Sequence, residues 1–235
     1  MKKLIALATS IVLLCSAVFA RDIYDGDIEF HFGVGFDTVD VDCRYLGERV
    51  NESFGAKEGV FGMQSWHLFK PVDVIGLGFM AGYNLGVGVT DKIEMGGLKG
   101  NKTGYSVSFN GEFGPAIGLY LGDVVRFGGS VGLTYGFNSD MPFKYDDFTE
   151  DGTVTFYTNY IGFTTNLQAK FLPNNKCNPI IGWKLINAYN DQVSISTSGS
   201  LYSSSLSSFG DFIREYSGDY YFTQNIFYIG LGISW

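Results

Sequence analysis

The stretch YSVSFNGEFGPAIGLYL, residues 105–121, decides the fold. Its odd positions Tyr105, Val107, Phe109, Phe113, Pro115, Ile117, Leu119 and Leu121 are apolar apart from Gly111. The even positions between them are mostly small or polar and include Ser106, Asn110 and Glu112. Side chains of a strand point alternately to its two faces, so one face here is continuous hydrocarbon and the other is not.

The same period of two recurs on both sides of this stretch. Ile75, Leu77, Phe79, Ala81, Tyr83, Leu85 and Val87 oppose Gly76, Gly78, Gly82, Asn84 and Gly86. Phe127, Val131, Leu133, Tyr135 and Phe137 oppose Arg126, Ser130, Thr134 and Asn138. Eight strands follow, at about 27–38, 58–70, 74–88, 104–121, 126–138, 153–172, 179–189 and 220–235. Segment 58–70 carries apolar residues on both faces, Trp66 and Leu68 against Phe61, Met63 and Phe69, so its register stays open. Most of these runs reach the roughly 9–11 residues that a tilted strand needs to cross a bilayer core. Short connections (KPVD, GDVV, PNNKCN) alternate with long ones at about 39–57, 89–103, 139–152 and 190–219. Short turns on one side and long loops on the other describe a membrane barrel with short periplasmic turns and external loops. The expected class is therefore all-β: an eight-stranded antiparallel up-and-down transmembrane β-barrel.

Charge placement agrees. A lipid-facing Arg or Lys at mid-depth costs about 2–4 kcal/mol, and in the seven strands of clear register Glu29, His31, Asp37, Glu112, Arg126, Lys170 and Lys184 all fall opposite the apolar row. These residues are expected to form a lumen network, with Glu29, Asp37 and Glu112 balancing Arg126, Lys170 and Lys184. A soluble barrel of lipocalin type also alternates. It would, however, turn a nearly charge-free row of Gly, Ser, Thr and Asn to water and crowd Phe, Tyr and Trp from eight strands into a narrow interior.

Residues 1–20, MKKLIALATSIVLLCSAVFA, combine Lys2 and Lys3 with an apolar run and small residues before Arg21. This is the pattern of a secretory signal cut between Ala20 and Arg21, leaving 21–235 as the barrel domain. Cys15 raises a lipoprotein alternative, but Leu14 stands where a lipid-attachment box wants a small side chain. Without the two signal lysines, the 16 basic residues become 14, against 24 acidic, a net charge of −10 that speaks against a nucleic-acid partner. The long connections, counted as 39–58, 89–103, 139–152 and 190–219, hold 16 acidic and 8 basic residues, so most of the negative charge is expected on the loop side. Cys43 and Cys177 fall at opposite ends of such a barrel, beyond disulfide reach.

The ending YIGLGISW, with Tyr228, Gly230, Ile233 and Trp235 in register, resembles the C-terminal assembly signal of bacterial outer-membrane barrels. The eight-strand layout is similar to the small OmpX, OmpA-domain and OmpW barrels, and its Gly/aromatic style to small spirochaete barrels. The resemblance implies Sec-dependent export, recognition of the last strand by the barrel-assembly machinery and residence in the lipid of the cell outer membrane. It carries no motif for a function.

Two readings of function remain. In the first, glycines on the inner face leave a narrow channel or cavity for a small, apolar solute, as in OmpW-like barrels. In the second, a closed barrel presents acidic and Ser-rich loops, KYDDFTEDG and SISTSGSLYSSSLSS, to a surface ligand. Catalysis is not expected: His31 and His67 are the only histidines, His31 lies about 7 Å along the strand from Glu29, and no metal or cofactor spacing occurs.

Overall fold

The computed structural model describes residues 24–45, 48–95, 98–199 and 214–234. The segment 1–20, the junction Ala20/Arg21 and the terminal Trp235 lie outside the described residues. Among the described residues ten strands follow one another: β1 (Tyr24–Tyr45), β2 (Glu48–Val72), β3 (Ile75–Thr90), β4 (Glu94–Met95), β5 (Leu98–Lys99), β6 (Gly104–Leu121), β7 (Val125–Asp146), β8 (Asp151–Phe171), β9 (Cys177–Ser198) and β10 (Arg214–Ser234). Eight of them close into an antiparallel barrel in chain order, and β4 and β5 make a separate two-stranded ladder. Closure joins β1 to β10 from Asp27↔Ser234 to Cys43↔Gly218. No long edge of unpaired amides is left, which is the condition for a sheet to cross hydrocarbon.

The outward row is the hydrocarbon one. Phe32, Leu133, Phe163, Ile229 and Leu231 are all more than half exposed. In water each would forgo about 1.5–3 kcal/mol of burial; in lipid the row is solvated. From Ile28 to Val34 on β1 and along the facing stretches of the other seven strands, no outward position carries Asp, Glu, Lys or Arg; Lys57, opposite Phe36, is the outward charge at the upper border of the belt on β2. The open register of β2 resolves with Glu58, Gln64, Trp66 and Leu68 buried inside, and Phe61, Met63 and His67 outside.

Beyond this belt, on the long-loop side, the strands continue. Connections expected at 39–57 and 139–152 are largely strand: β1 runs to Tyr45, β2 begins at Glu48, β7 runs to Asp146 and β8 restarts at Asp151. In this collar the amphipathic sense inverts. Val39, Val41 and Cys43 point inward and are buried, while Asp40 and Arg44 face out. The inversion has a simple cause: above the lipid the outside is water, so apolar residues turn inward. Val39, Val41, Phe54, Phe143, Val154, Phe156, Val193, Ile195 and Phe222 belong to one buried cluster that fills the collar. Register shifts between Asp140 and Phe143, Tyr157 and Ile161, and Ser217 and Tyr220 sit at its base. Each shift moves one strand's parity, which lets Phe143 point inward although the lower inward row of β7 is even-numbered.

The connection 91–103 folds over the collar. Asp91 N donates to Gly55 O at 2.8 Å, and Asn101 N and Lys102 N donate to Lys144 O at 3.0 and 3.1 Å. On the opposite rim the turns are short. Gly122 adopts φ 58° and Leu172 φ 52°. Leu172 holds this disfavoured conformation while its carbonyl accepts from Asn175 N and from the Asn178 amide.

Candidate functional site

The inward row builds three polar layers stacked along the barrel axis. The lowest, at the short-turn rim, centres on Arg126, whose guanidinium donates to Asp25 at 3.1 Å, Asp27 at 2.7 Å and Glu29 at 3.1 Å. Lys170 pairs with the same Asp27 and donates to Ser234 Oγ at 2.9 Å. Glu29 also accepts from Gln64 at 2.7 Å and Gln168 at 3.0 Å. The Trp66 ring lies under Arg126, 5.4 Å from the guanidinium carbon. Arg126 and Lys170 are wholly buried. A planar fork serving several carboxylates is the geometry that suits Arg to a dry site.

The middle layer is organised by Lys184. It forms an ion pair with Glu112 and donates to Asn84 Oδ1 at 3.0 Å. Thr164 donates to Glu112 at 3.0 Å. His31 Nε2 lies 2.8 Å from the same Asn84 oxygen, and its ring packs on Tyr228 with centroids 4.6 Å apart. The Tyr228 hydroxyl donates to Asn166 Oδ1 at 2.6 Å. Tyr228 is thus a lumen residue, while Gly230 and Ile233 of the same terminal strand pair with His31 and Ile28 across the seam.

The upper layer, beneath the apolar collar, holds Asp37, Glu58 and Asp140, all buried. Ser106 Oγ lies 2.7 Å from Glu58 Oε1 and 2.6 Å from Asp140 Oδ1. Ser108 and Gln224 donate to Glu58 at 2.5 and 2.9 Å. Asp37 has no hydrogen bond of ordinary length, and the Gln224 amide is the donor that faces it.

The seven expected lumen residues therefore all point inward, but they do not form the balanced set of three acids and three bases. Asp25, Asp27, Glu58 and Asp140 join them, giving seven acids, Asp25, Asp27, Glu29, Asp37, Glu58, Glu112 and Asp140, against three bases, Arg126, Lys170 and Lys184. Two of these additions had been counted with the loop charge. Asp25 and Asp27 share the odd parity of Glu29, and that signal was available in the sequence; Glu58 lay in the strand of open register, and Asp140 just past an expected end.

Glycines on the inner face do not leave a bore. A methyl on Gly136 would lie 2.5 Å from the Tyr160 hydroxyl, and one on Gly128 would lie 3.1 Å from the Trp66 ring. One on Gly86 would collide with Glu58 and Ser108, and one on Gly62 with His31. Each absent side chain makes room for a large one from a facing strand.

Chemistry elsewhere is sparse. His67, on the outer face, touches Tyr24 OH through Nδ1 and lies 2.9 Å from Ser65 Oγ through Nε2. A serine beside an imidazole is half of a nucleophilic site. The neighbouring backbone amides are engaged in the β1–β2 and β2–β3 ladders, which leaves no oxyanion donors there. His67 stacks on Phe79 with centroids 4.7 Å apart, an anchor of the kind that amphipathic rings make at a membrane interface. Among the described residues no group of three or more His, Cys, Asp or Glu side chains forms a ready-made metal cage. In the acidic loop, Asp146 faces Lys102 at 3.9 Å, and Asp147 Oδ1 accepts from Phe148 N.

Cys43 and Cys177 are unlinked, the first buried in the collar and the second exposed at the other rim. Burial pushes the Cys43 thiol up to about 11. An exposed groove at the collar rim is lined by Asp42, Cys43, Arg44, Arg49, Asp191, Gly218 and Asp219. Arg49 grips Asp42 there through two hydrogen bonds of 2.9 and 2.5 Å.

No protein-family model and no curated protein matches the chain. Solved structures do. The outer membrane protease OmpT from Escherichia coli aligns at 10% identity with a TM-score of 0.53, over 90% of this chain and 97% of that one. The outer membrane protein OprG from Pseudomonas aeruginosa aligns at 14% identity with a TM-score of 0.49, over 88% and 95%. The likeness to OmpT is one of fold. The chain has the architecture of a bacterial outer-membrane β-barrel, and its lipid-facing belt is the surface that such a location requires.

Proposed function

We propose that this barrel is closed and serves as an outer-membrane platform for the collar it raises above the lipid. The observation that carries this reading is the filled interior. Arg126, Lys170, Lys184, Gln224, Ile226 and Phe222, distributed from the lower rim to the collar, are all wholly buried. An eight-stranded barrel is only wide enough for its own side chains, and here they occupy it.

The collar is what remains to act. Its outer face carries Asp40, Arg44 and Arg49, and the rim groove adds Asp191 and Asp219. Alternating charge on a raised, rigid sheet edge suits recognition of a polar surface partner. The export signal at 1–20 and delivery of the last strand to the barrel-assembly machinery, with Trp235 in its assembly signal, belong to the same proposal.

Planar bilayers test it. Purified, refolded barrel is expected to give no reproducible current steps. Discrete ohmic steps that depend on the protein would overturn the closed reading in favour of a narrow channel for small solutes, and would require the Arg126 layer to part.

A further inference from the structure

At the upper border of the belt, where Lys57 faces out opposite Phe36, three carboxylates meet inside without a base. Asp37, Glu58 and Asp140 are buried on β1, β2 and β7, and the charges that bear on Asp37 are those of the other two. The bases of the lumen are committed below, Arg126 and Lys170 to the rim and Lys184 to Glu112. Three buried anions without a counter-charge are strongly unfavourable.

A count of hydrogens shows how the layer is compensated. Ser106 has one hydroxyl hydrogen, yet its Oγ lies 2.7 Å from Glu58 Oε1 and 2.6 Å from Asp140 Oδ1. With both acids ionised, one of these contacts would set oxygen against oxygen with no hydrogen between. The same deficit recurs at Asp37, whose hydrogen-bond neighbours are the Gln224 amide and the Glu58 carboxyl group. Glu58 is already the acceptor of the layer, since Ser108 and Gln224 donate to its Oε2 at 2.5 and 2.9 Å. A proton on Glu58 could serve only one of its two deficient contacts. Protons on Asp37 and Asp140 serve both, and they leave the one remaining charge on the group with most donors.

We infer that the Asp37–Glu58–Asp140 layer is a proton latch: at neutral pH it holds two protons and one charge, Asp37 donating to Glu58 directly and Asp140 donating to it through the Ser106 hydroxyl. The latch ties β1, β2, β6 and β7 together at the base of the collar, and alkali releases it. Other groups around it do not take over this role. Tyr160 and Tyr220 face it from β8 and β10, the second with its hydroxyl 3.4 Å from Asp140 Oδ2. β6 adds only Ser106, Ser108 and Asn110 before Glu112, which Lys184 neutralises. The buried side chains of β3 above Asn84 and of β9 above Lys184 carry no titratable group, and Asp91 of the overlying connection is exposed. An unfolded chain ionises its carboxyls above about pH 4, so at neutral pH the folded barrel binds more protons than the unfolded one, and its stability falls as pH rises until the latch has emptied. Carboxylates paired with Arg126, Lys170 and Lys184 act in the opposite sense and only at acid pH, which leaves the alkaline slope to the latch.

Infrared spectroscopy and unfolding temperature test this on the full barrel refolded in detergent. At neutral pH the wild type is expected to show the carbonyl stretch of a protonated carboxyl group, and Asp37→Asn combined with Asp140→Asn to lose it. The wild-type unfolding temperature should fall between about pH 6 and about pH 9. In the double variant that fall should disappear, because each amide supplies permanently the hydrogen that the proton supplied. Glu58→Gln should unfold at a lower temperature at both pH values, since its amide would meet donors. A wild-type barrel without protonated-carboxyl absorption overturns the proposal, whether or not any variant folds. So does a double variant that keeps the absorption, or one less stable than wild type at the alkaline pH, and Glu58→Gln tolerated as well as the double variant overturns the assignment of the acceptor. None of these results bears on conductance, so the closed-barrel reading stands or falls separately.

Discussion

Lys184 shows what a single buried charge does in this interior. It is wholly buried, and its ammonium is shared between Glu112 and Asn84. Replacing it by Met leaves Glu112 with only the Thr164 hydroxyl, and an uncompensated buried carboxylate costs about 3–5 kcal/mol. The Lys184→Met barrel should therefore unfold at a clearly lower temperature, read as loss of the fast-migrating band in unboiled detergent gels. Adding Glu112→Leu should recover most of the loss, because two apolar groups replace the pair. If Lys184→Met alone matches wild type, the ion pair is not what organises the middle layer. Glu112 and Lys184 were legible in the sequence, since each stands opposite an unbroken apolar row. Their pairing was not, because it joins β6 to β9 across the lumen, and no local pattern records which strand faces which through the interior.

At the scale of the strand, alternation was legible only where lipid was the outer solvent. Expected ends near residues 38, 138 and 189 coincide with the height at which the outer face passes from hydrocarbon to water. Beyond it the strands persist, but Val39 and Val41 replace acids on the inner face, and bulges at Asp140/Phe143 and Tyr157/Ile161 shift the parity. A rule of apolar outside and polar inside ends at that height although the hydrogen-bonded ladder does not. The same boundary sets what each strand tolerates. Leu133 lies in the belt and is 58% exposed to lipid, so Leu133→Arg should cost about 2–4 kcal/mol and reduce the folded fraction. Asp40→Arg, on the outward face of the collar, should leave that fraction unchanged. Equal tolerance at the two positions would mean that the belt has been placed at the wrong height.

For the molecule as a whole, the interior divides by solvent as the exterior does. Ionic layers lie behind the belt, and an apolar core lies behind the collar. A barrel built this way carries its stability inside and leaves the raised rim free to vary. The seam between β1 and β10 has one more consequence. Asp27 stands directly opposite Ser234, so the two ends of the described chain meet at the same rim on adjoining strands. A short Gly/Ser linker could join them, and the chain could be reopened at the turn between Asp146 and Asp151, giving a circular permutant in which β8 comes first. Such a permutant should refold to the same heat-modifiable barrel, because the sheet pairs each strand only with its two neighbours and takes no account of where translation starts. Topologically this protein is a ring, and its reading order is a property of the gene.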